Sequence, residues 1–472
     1  MGIEAYGLIG FLMTSQAMLQ ILDFGLAPAV NREVARSTSI GDLCAARTLL
    51  HTLGRLYWLI AVVIGAVFFA AAPVIATTWL GTSQLPLKDV IESLMLMGVL
   101  IAARWPIAVY QNTLIGARRL ATASLLQAAM STVSVAASIS VVTYLAPRPQ
   151  ALFATQAAVA IVHLVLVRML AWRALGGHSG ALLSLGVVKR VWQFSAGMGG
   201  VLLTSIALTQ LDKALLSTLL PLAAFGEYML AVTVVGGLSV LVGPLFNTIY
   251  PEFSALVARE QTQLLADRYH RDTRLFAIAF LPIAIALGVY GHDLIWLWTG
   301  SDETAAAIAP VVALLCIGSA VNGLMHFPYA LQLAYGLAWI PLAINVALLV
   351  VAGPLIVVLT MAYGATGGAA AWAMVELVYL LIGTWVTHRH IAIGCGLAWL
   401  GKGIAMPLAL TGALTWTWYP FVGLLPAGSA LRASAIVASV LVTGILSAIC
   451  FPDLRASLFA KLHATTPLTK PV

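Results

Sequence analysis

An arginine at position 104 stands alone within an apolar stretch at 90–115, directly before Trp105-Pro106. A cation near the middle of a bilayer costs roughly 2.5–3.5 kcal/mol even on insertion scales, so it is expected to face a cavity or a partner. Its planar fork of donors suits an oxyanion such as a phosphate. The alternative is a structural pair with a carboxylate such as Asp23, or a contact at a local kink. A second polar set lies in the apolar run 6–28, which carries Gln16, Gln20 and Asp23. Asp23 reads either as a proton- or cation-coupling group or as a packing group that accepts from Arg32 or Arg36. Glu376 falls mid-span in 365–387, facing a cavity or making a structural hydrogen bond. Glu4 sits at the start of the first run, at the outer mouth or as a helix cap. Asp212-Lys213 follows 192–211 as an interfacial pair or as part of the same mouth. Arg32 and Arg36 form a basic exit that orients the chain and touches lipid phosphate, and that also suits an anionic headgroup entering the path.

The elements that position these groups are membrane helices. The chain has 472 residues, 61% hydrophobic and only 9% charged, against about 25% charged in soluble domains. Apolar runs of spanning length fall near 6–28, 56–80, 90–115, 122–145, 151–171 and 192–211. They continue near 226–250, 275–298, 307–327, 339–361, 365–387, 401–421 and 431–451, the pair at 339–387 joined only by Tyr363-Gly364. The expected class is an all-α polytopic membrane protein with about thirteen transmembrane helices. Alternating the spans puts nineteen of the 24 Lys and Arg residues on one face and four on the other, with Arg104 between. That asymmetry assigns the basic face, and the C-terminus with it, to the cytoplasm.

Residues 5–36 (Ala-Tyr-Gly, helix, Pro28, basic stretch) resemble residues 224–260 (Ala-Phe-Gly, helix, Pro251, basic stretch), about 219 positions on. The stretches 31–55 and 252–274 are mixed apolar and charged, and each reads as a helix in the membrane interface. The second copy is preceded by one helix more than the first. The pattern predicts two parallel six-helix lobes, a first helix missing ahead of Met1, and an extra C-terminal pair. The lobes are expected at 1–190 and 191–392, with the pair and a cytoplasmic tail at 393–472. Parallel repeats of this kind flank a central site.

Catalytic signatures are absent from the sequence: there is no HExxH, Walker A or GxSxG pattern. The four cysteines are scattered without a CxxC pair, and the histidines make no ligand cluster, so no metal or cofactor is expected. The net charge of +7 is explained by cytoplasmic arginines at an anionic leaflet, without a nucleic-acid partner.

The segments Glu4-Ala5-Tyr6-Gly7-Leu8-Ile9-Gly10-Phe11, Leu22-Asp23-Phe24-Gly25-Leu26-Ala27-Pro28 and Asn31-Arg32-Glu33-Val34-Ala35-Arg36 resemble the polysaccharide transporter family of lipid-linked oligosaccharide flippases. Gln210-Leu211-Asp212-Lys213, Phe225-Gly226-Glu227-Tyr228 and Pro251-Glu252-Phe253-Ser254 extend the resemblance, which covers roughly residues 1–275. That family sits in a superfamily with multidrug extruders and the lipid II flippase. The resemblance implies two lobes around a cavity that work by alternating access. It implies a polyprenyl-diphosphate-linked sugar passing from the cytoplasmic to the periplasmic leaflet of a bacterial inner membrane, for O-antigen, lipopolysaccharide, capsule or exopolysaccharide assembly. The implied partners are the lipid-linked oligosaccharide, membrane lipids and polysaccharide assembly proteins. Arg104 suits the diphosphate by its chemistry rather than by any family motif. The alternatives are a cation-coupled multidrug extruder, which calls for an acidic cavity, and a membrane-embedded glycan polymerase or ligase.

Overall fold

A computed structural model describes residues 3–19, 23, 26–39, 41–79, 85–177, 183–391, 394, 396–426 and 429–451, and among these it contains helices and no strand. Such a chain must satisfy its backbone within each segment, because hydrocarbon offers no partners. Ten helices among the described residues are long and apolar enough to cross a membrane. The chain divides into two compact units, Met1–Gly226 and Glu227–Val472.

The first unit opens with α1 (Ile3–Leu19), α2 (Leu26–Ser39) and α3 (Leu43–Val74), whose end widens into a π-helical turn at Ile75–Trp79. Then come α4 (Leu87–Arg104), α5 (Ile107–Gly116), α6 (Leu120–Ser140), α7 (Pro149–Ala174) and α8 (Leu185–Leu219), and α9 (Leu222–Gly236) begins at the unit's end. The run 90–115 is thus broken where the Pro106 ring removes a backbone donor, just after Arg104. The helix α4 packs between α3 and α7, α5 lies on α2 and α7, and α8 contacts α1, α2 and α3. The helix α6 packs on α7 and α5, and its apolar window is otherwise uncovered.

Two close approaches pin this unit. Gly226 sits against α1 so tightly that a Cβ there would lie 2.3 Å from the Ile3 carbonyl oxygen and 3.0 Å from the Gly7 nitrogen. Small residues permit such backbone contact between membrane helices. At the other position, Arg47 Nε donates to the Leu175 carbonyl oxygen at 2.7 Å, so a cation closes the C-terminal end of α7.

The second unit continues α9 and adds α10 (Ser239–Ala258), α11 (Thr262–Val289), α12 (Gly291–Thr299) and α13 (Asp302–Ala334). It ends with α14 (Trp339–His390), α15 (Gly396–Trp399), a π-helical turn at Leu400–Ala405, α16 (Met406–Gly423) and α17 (Ala430–Cys450). The helix α14 is two helices joined at Gly364, whose φ of 60° and ψ of −139° only glycine adopts at low cost. The short link expected at Tyr363-Gly364 is this joint.

The interfacial helices expected from the basic stretches take another form. Only Leu26–Ser39 is a separate short helix, and residues 43–55 are the start of α3. In the second stretch Glu252–Ala258 is the end of α10, and 262–274 is the beginning of α11. The chain turns between them at Glu260, in the left-handed region (φ 56°). Continuing an existing helix keeps its hydrogen-bond ladder running and avoids a new nucleation step.

Candidate substrate cavity

Arg104 lies at the end of α4, where the break before α5 turns its side chain toward α1 and α7. Its Nη1 donates to Gln16 Oε1 of α1 at 2.9 Å, and Nη2 to Gln156 Oε1 of α7 at 3.2 Å. A guanidinium has five N–H donors. The other three have no protein partner among the described residues, and no carboxylate there lies within 4.0 Å. The expected alternative pairing with Asp23 is therefore not formed. Glutamine carbonyls hold the cation in place without neutralising it.

Two cavities of the first unit meet at this group. The larger, about 680 Å³, is lined by Arg104, Gln16, Gln156 and His163, and on α6 by Gln127 and Ser138, among others. Among the described residues no aspartate or glutamate lines it. The smaller, about 380 Å³, is lined by Gln16 and Arg104 again, with Asp23, Tyr57 and Trp105. The Trp105 indole N–H is buried there without a hydrogen-bond partner among the described residues. Asp23 accepts a hydrogen bond from the Tyr57 hydroxyl and, at 3.3 Å, from the Ala27 backbone N–H, so it also caps α2.

Of the residues singled out in the sequence, the structure thus brings together Arg104, Gln16 and Asp23, while Gln20 lies outside the described residues. Arg32 and Arg36 are exposed on α2 and line neither cavity, and Arg36 stands 3.7 Å from Glu33. Glu4 is buried and its Oε2 accepts the Leu85 backbone N–H at 2.9 Å, so it binds the chain entering α4. Asp212 is buried against Lys213 at 2.9 Å. The pair lies nearly two turns inside α8, because the helix runs on past the apolar stretch to Leu219. Glu376, in the second unit, accepts from Asn322 Nδ2 at 3.0 Å, and its other carboxyl oxygen is buried without a partner among the described residues.

Gln156 and the polar residues of α6 were not singled out in the sequence. The signal for α6 was present: Gln127, Ser131, Ser134 and Ser138 recur at intervals of four, three and four, the repeat of one helix face. Gln156 carries no such periodic signal and is found only by its contact.

The all-helical unit that holds this polar cavity and its half-buried cation has a fold shared with solved transporters. The structure is similar to an inward-facing multidrug resistance MATE family transporter of the MOP superfamily, with a TM-score of 0.69 at 12% identity, over 83% of this chain and 91% of that one. It is similar to the lipid II flippase MurJ in its inward closed conformation, with a TM-score of 0.69 at 12% identity, over 96% and 97% of the two chains. The Vibrio cholerae MATE transporter VcmN in its bent form matches with a TM-score of 0.55 at 14% identity, over 84% and 90%. At these identities the likeness establishes the fold, that of a multi-pass membrane protein of the MATE and MurJ type. A sequence model of the family described as polysaccharide biosynthesis protein matches residues 1–257, and the chain belongs to that family. Comparison with curated protein sequences gives no match.

Proposed function

We propose that this protein is a flippase that carries a polyprenyl-diphosphate-linked oligosaccharide from the cytoplasmic to the periplasmic leaflet of a bacterial inner membrane. Its product feeds a surface polysaccharide such as O-antigen, lipopolysaccharide, capsule or exopolysaccharide. The observation that carries the reading is Arg104, a cation within a membrane span, held by two neutral carbonyls with three donors uncommitted among the described residues. A charge so placed is expensive unless an anion arrives to meet it. A diphosphate is such an anion, and its oxygens match the guanidinium fork. Gln16 and Gln156 orient the fork, the sugar occupies the polar cavity, and the polyprenyl tail stays in the bilayer. Two lobes alternate access to the two leaflets, and the C-terminus is cytoplasmic. Family membership and the lipid II flippase among the similar folds support this reading. A drug extruder selecting cations would need acidic groups in the larger cavity, and none line it among the described residues.

The test is a deletion strain scored for surface glycan and complemented with wild type, Arg104→Ala and Arg104→Lys at matched membrane levels. Arg104→Ala is expected to abolish surface glycan and to leave lipid-linked precursor in the cytoplasmic leaflet. Arg104→Lys keeps the charge but not the fork, so it restores glycan only in part. Full complementation by Arg104→Ala would refute the proposal.

A further inference from the structure

The helix α6 carries hydroxyls in two different states. Thr132 Oγ1 donates to the Ala128 carbonyl at 2.9 Å, and Ser140 Oγ to the Ala136 carbonyl at 2.8 Å. Folding a hydroxyl back onto its own helix satisfies it where only hydrocarbon is available. Ser131, Ser134 and Ser138 donate to no protein group among the described residues. Ser131 accepts a bond from Gln127 Nε2 at 3.3 Å. The Ser138 hydroxyl has no partner among the described residues although the residue is only 9% exposed.

Geometry separates the two groups. At about 100° per residue, Gln127, Ser131, Ser134 and Ser138 fall within an arc of about 60°, while Thr132 and Ser140 lie roughly on the opposite side. All four residues of the arc line the 680 Å³ cavity. The stripe covers about 16 Å along the helix axis, enough to follow more than one sugar ring. Its groups are neutral hydroxyls and an amide, each able both to donate and to accept. That is the complement of a sugar's own hydroxyl and acetamido groups, and it offers nothing specific to a charge.

We propose that the stripe Gln127–Ser131–Ser134–Ser138 is a saccharide subsite that reads uncharged sugar units, separate from the anion contact at Arg104. The proposal rests on the flippase reading above and adds the chemistry of the sugar: neutral hexose or N-acetylhexosamine rings along α6, with charge recognition confined to Arg104.

The experiment uses the full chain in lipid nanodiscs and three short-chain polyprenyl diphosphates. One is bare, one carries a neutral N-acetylhexosamine–hexose disaccharide, and one carries a uronic acid in place of the hexose. The readout is the ratio of glycosylated to bare affinity. Wild type is expected to bind the neutral disaccharide probe on the order of tenfold or more above the bare lipid, as several new hydrogen bonds imply. The triple variant Ser131→Ala, Ser134→Ala, Ser138→Ala brings that ratio close to one. Alanine is the better helix former, so the helix is kept. Thr132→Ala, on the far side of the same helix, leaves the ratio as in wild type, and Ser138→Ala alone reduces it in part.

A wild-type ratio near one for the neutral probe overturns the subsite, as does an unchanged ratio in the triple variant. A gain seen only with the uronic acid probe also overturns it, since Arg104 would then be reading the sugar. If Arg104→Ala binds the bare lipid as wild type does, the diphosphate reading fails instead, and the ratio still decides for the stripe.

Discussion

Replacing Arg104 by glutamine separates a binding role from a structural one, because the two roles predict opposite effects on stability. The substitution removes the charge, whose place within a membrane span costs roughly 2.5–3.5 kcal/mol. It also removes two bonds to glutamine carbonyls, at 2.9 and 3.2 Å. At a site opening onto a cavity each is worth about 1.5 kcal/mol, the lower end for bonds to charged groups. The new amide restores one neutral bond of about 1 kcal/mol. The balance is about 0.5–1.5 kcal/mol in favour of the variant. Arg104→Gln is therefore expected to melt no lower than wild type in a detergent thermal ramp, and up to a few degrees higher. The same variant is expected to lose surface-glycan complementation. A fall of more than about 5 °C together with loss of function would refute the reasoning, since Arg104 would then be holding α1, α4 and α7 together.

Gly226→Ala is expected to destabilise by about 1–3 kcal/mol, since its Cβ would sit 2.3 Å from the Ile3 carbonyl oxygen; a melting curve matching wild type would contradict the close approach. The Arg432–Asp293 pair, 2.9 Å apart with both side chains less than a fifth exposed, predicts a large loss of thermal stability in Asp293→Ala, with the double variant Asp293→Ala, Arg432→Leu recovering part of it. Gly364→Ala forces alanine into a backbone region reserved for glycine and is expected to cost about 1–3 kcal/mol, read as a lower melting temperature.

What was legible in the sequence follows from how physical signals accumulate along a chain. Membrane helices show themselves because twenty apolar residues are a long, redundant signal. Arg104 stands out because it breaks that signal at its most expensive point. The joint at Gly364 was visible as a link too short to be a loop. The failures have the same origin. The run 6–28 looks continuous because Leu, Phe and Ala are apolar whichever helix they belong to, yet among the described residues it is shared between α1 (Ile3–Leu19) and α2 (Leu26–Ser39). The basic stretches at 31–55 and 252–274 suggested interfacial helices. Composition does not report that a neighbouring span can extend through the interface without interrupting its hydrogen bonds. Gln156 was invisible because a single glutamine in a membrane helix is ambiguous until its partner is placed 52 positions away in sequence. The α6 stripe could have been read: serine is unremarkable singly, and four polar residues on one face are not.

Why glutamine rather than glutamate faces Arg104 is the remaining question, and it yields a sharp test. A carboxylate at position 156, about 3.2 Å from Nη2, would attract the guanidinium by about 5 kcal/mol at an effective dielectric of about 20. Desolvating the new charge would offset much of this, so net stability would change little. Binding would change a great deal, because an incoming anion would have to displace a carboxylate already seated on the same fork. Gln156→Glu is therefore expected to keep the fold, Arg104 and the melting temperature, and still to lose affinity for a bare polyprenyl diphosphate by tenfold or more. Gln156→Leu removes one acceptor without adding a competitor. It is expected to weaken binding less, by a factor set by the loss of orientation alone. If Gln156→Glu bound the diphosphate as tightly as wild type, an uncompensated charge at Arg104 would not be the basis of recognition. The absence of acidic residues from the larger cavity would then need another explanation.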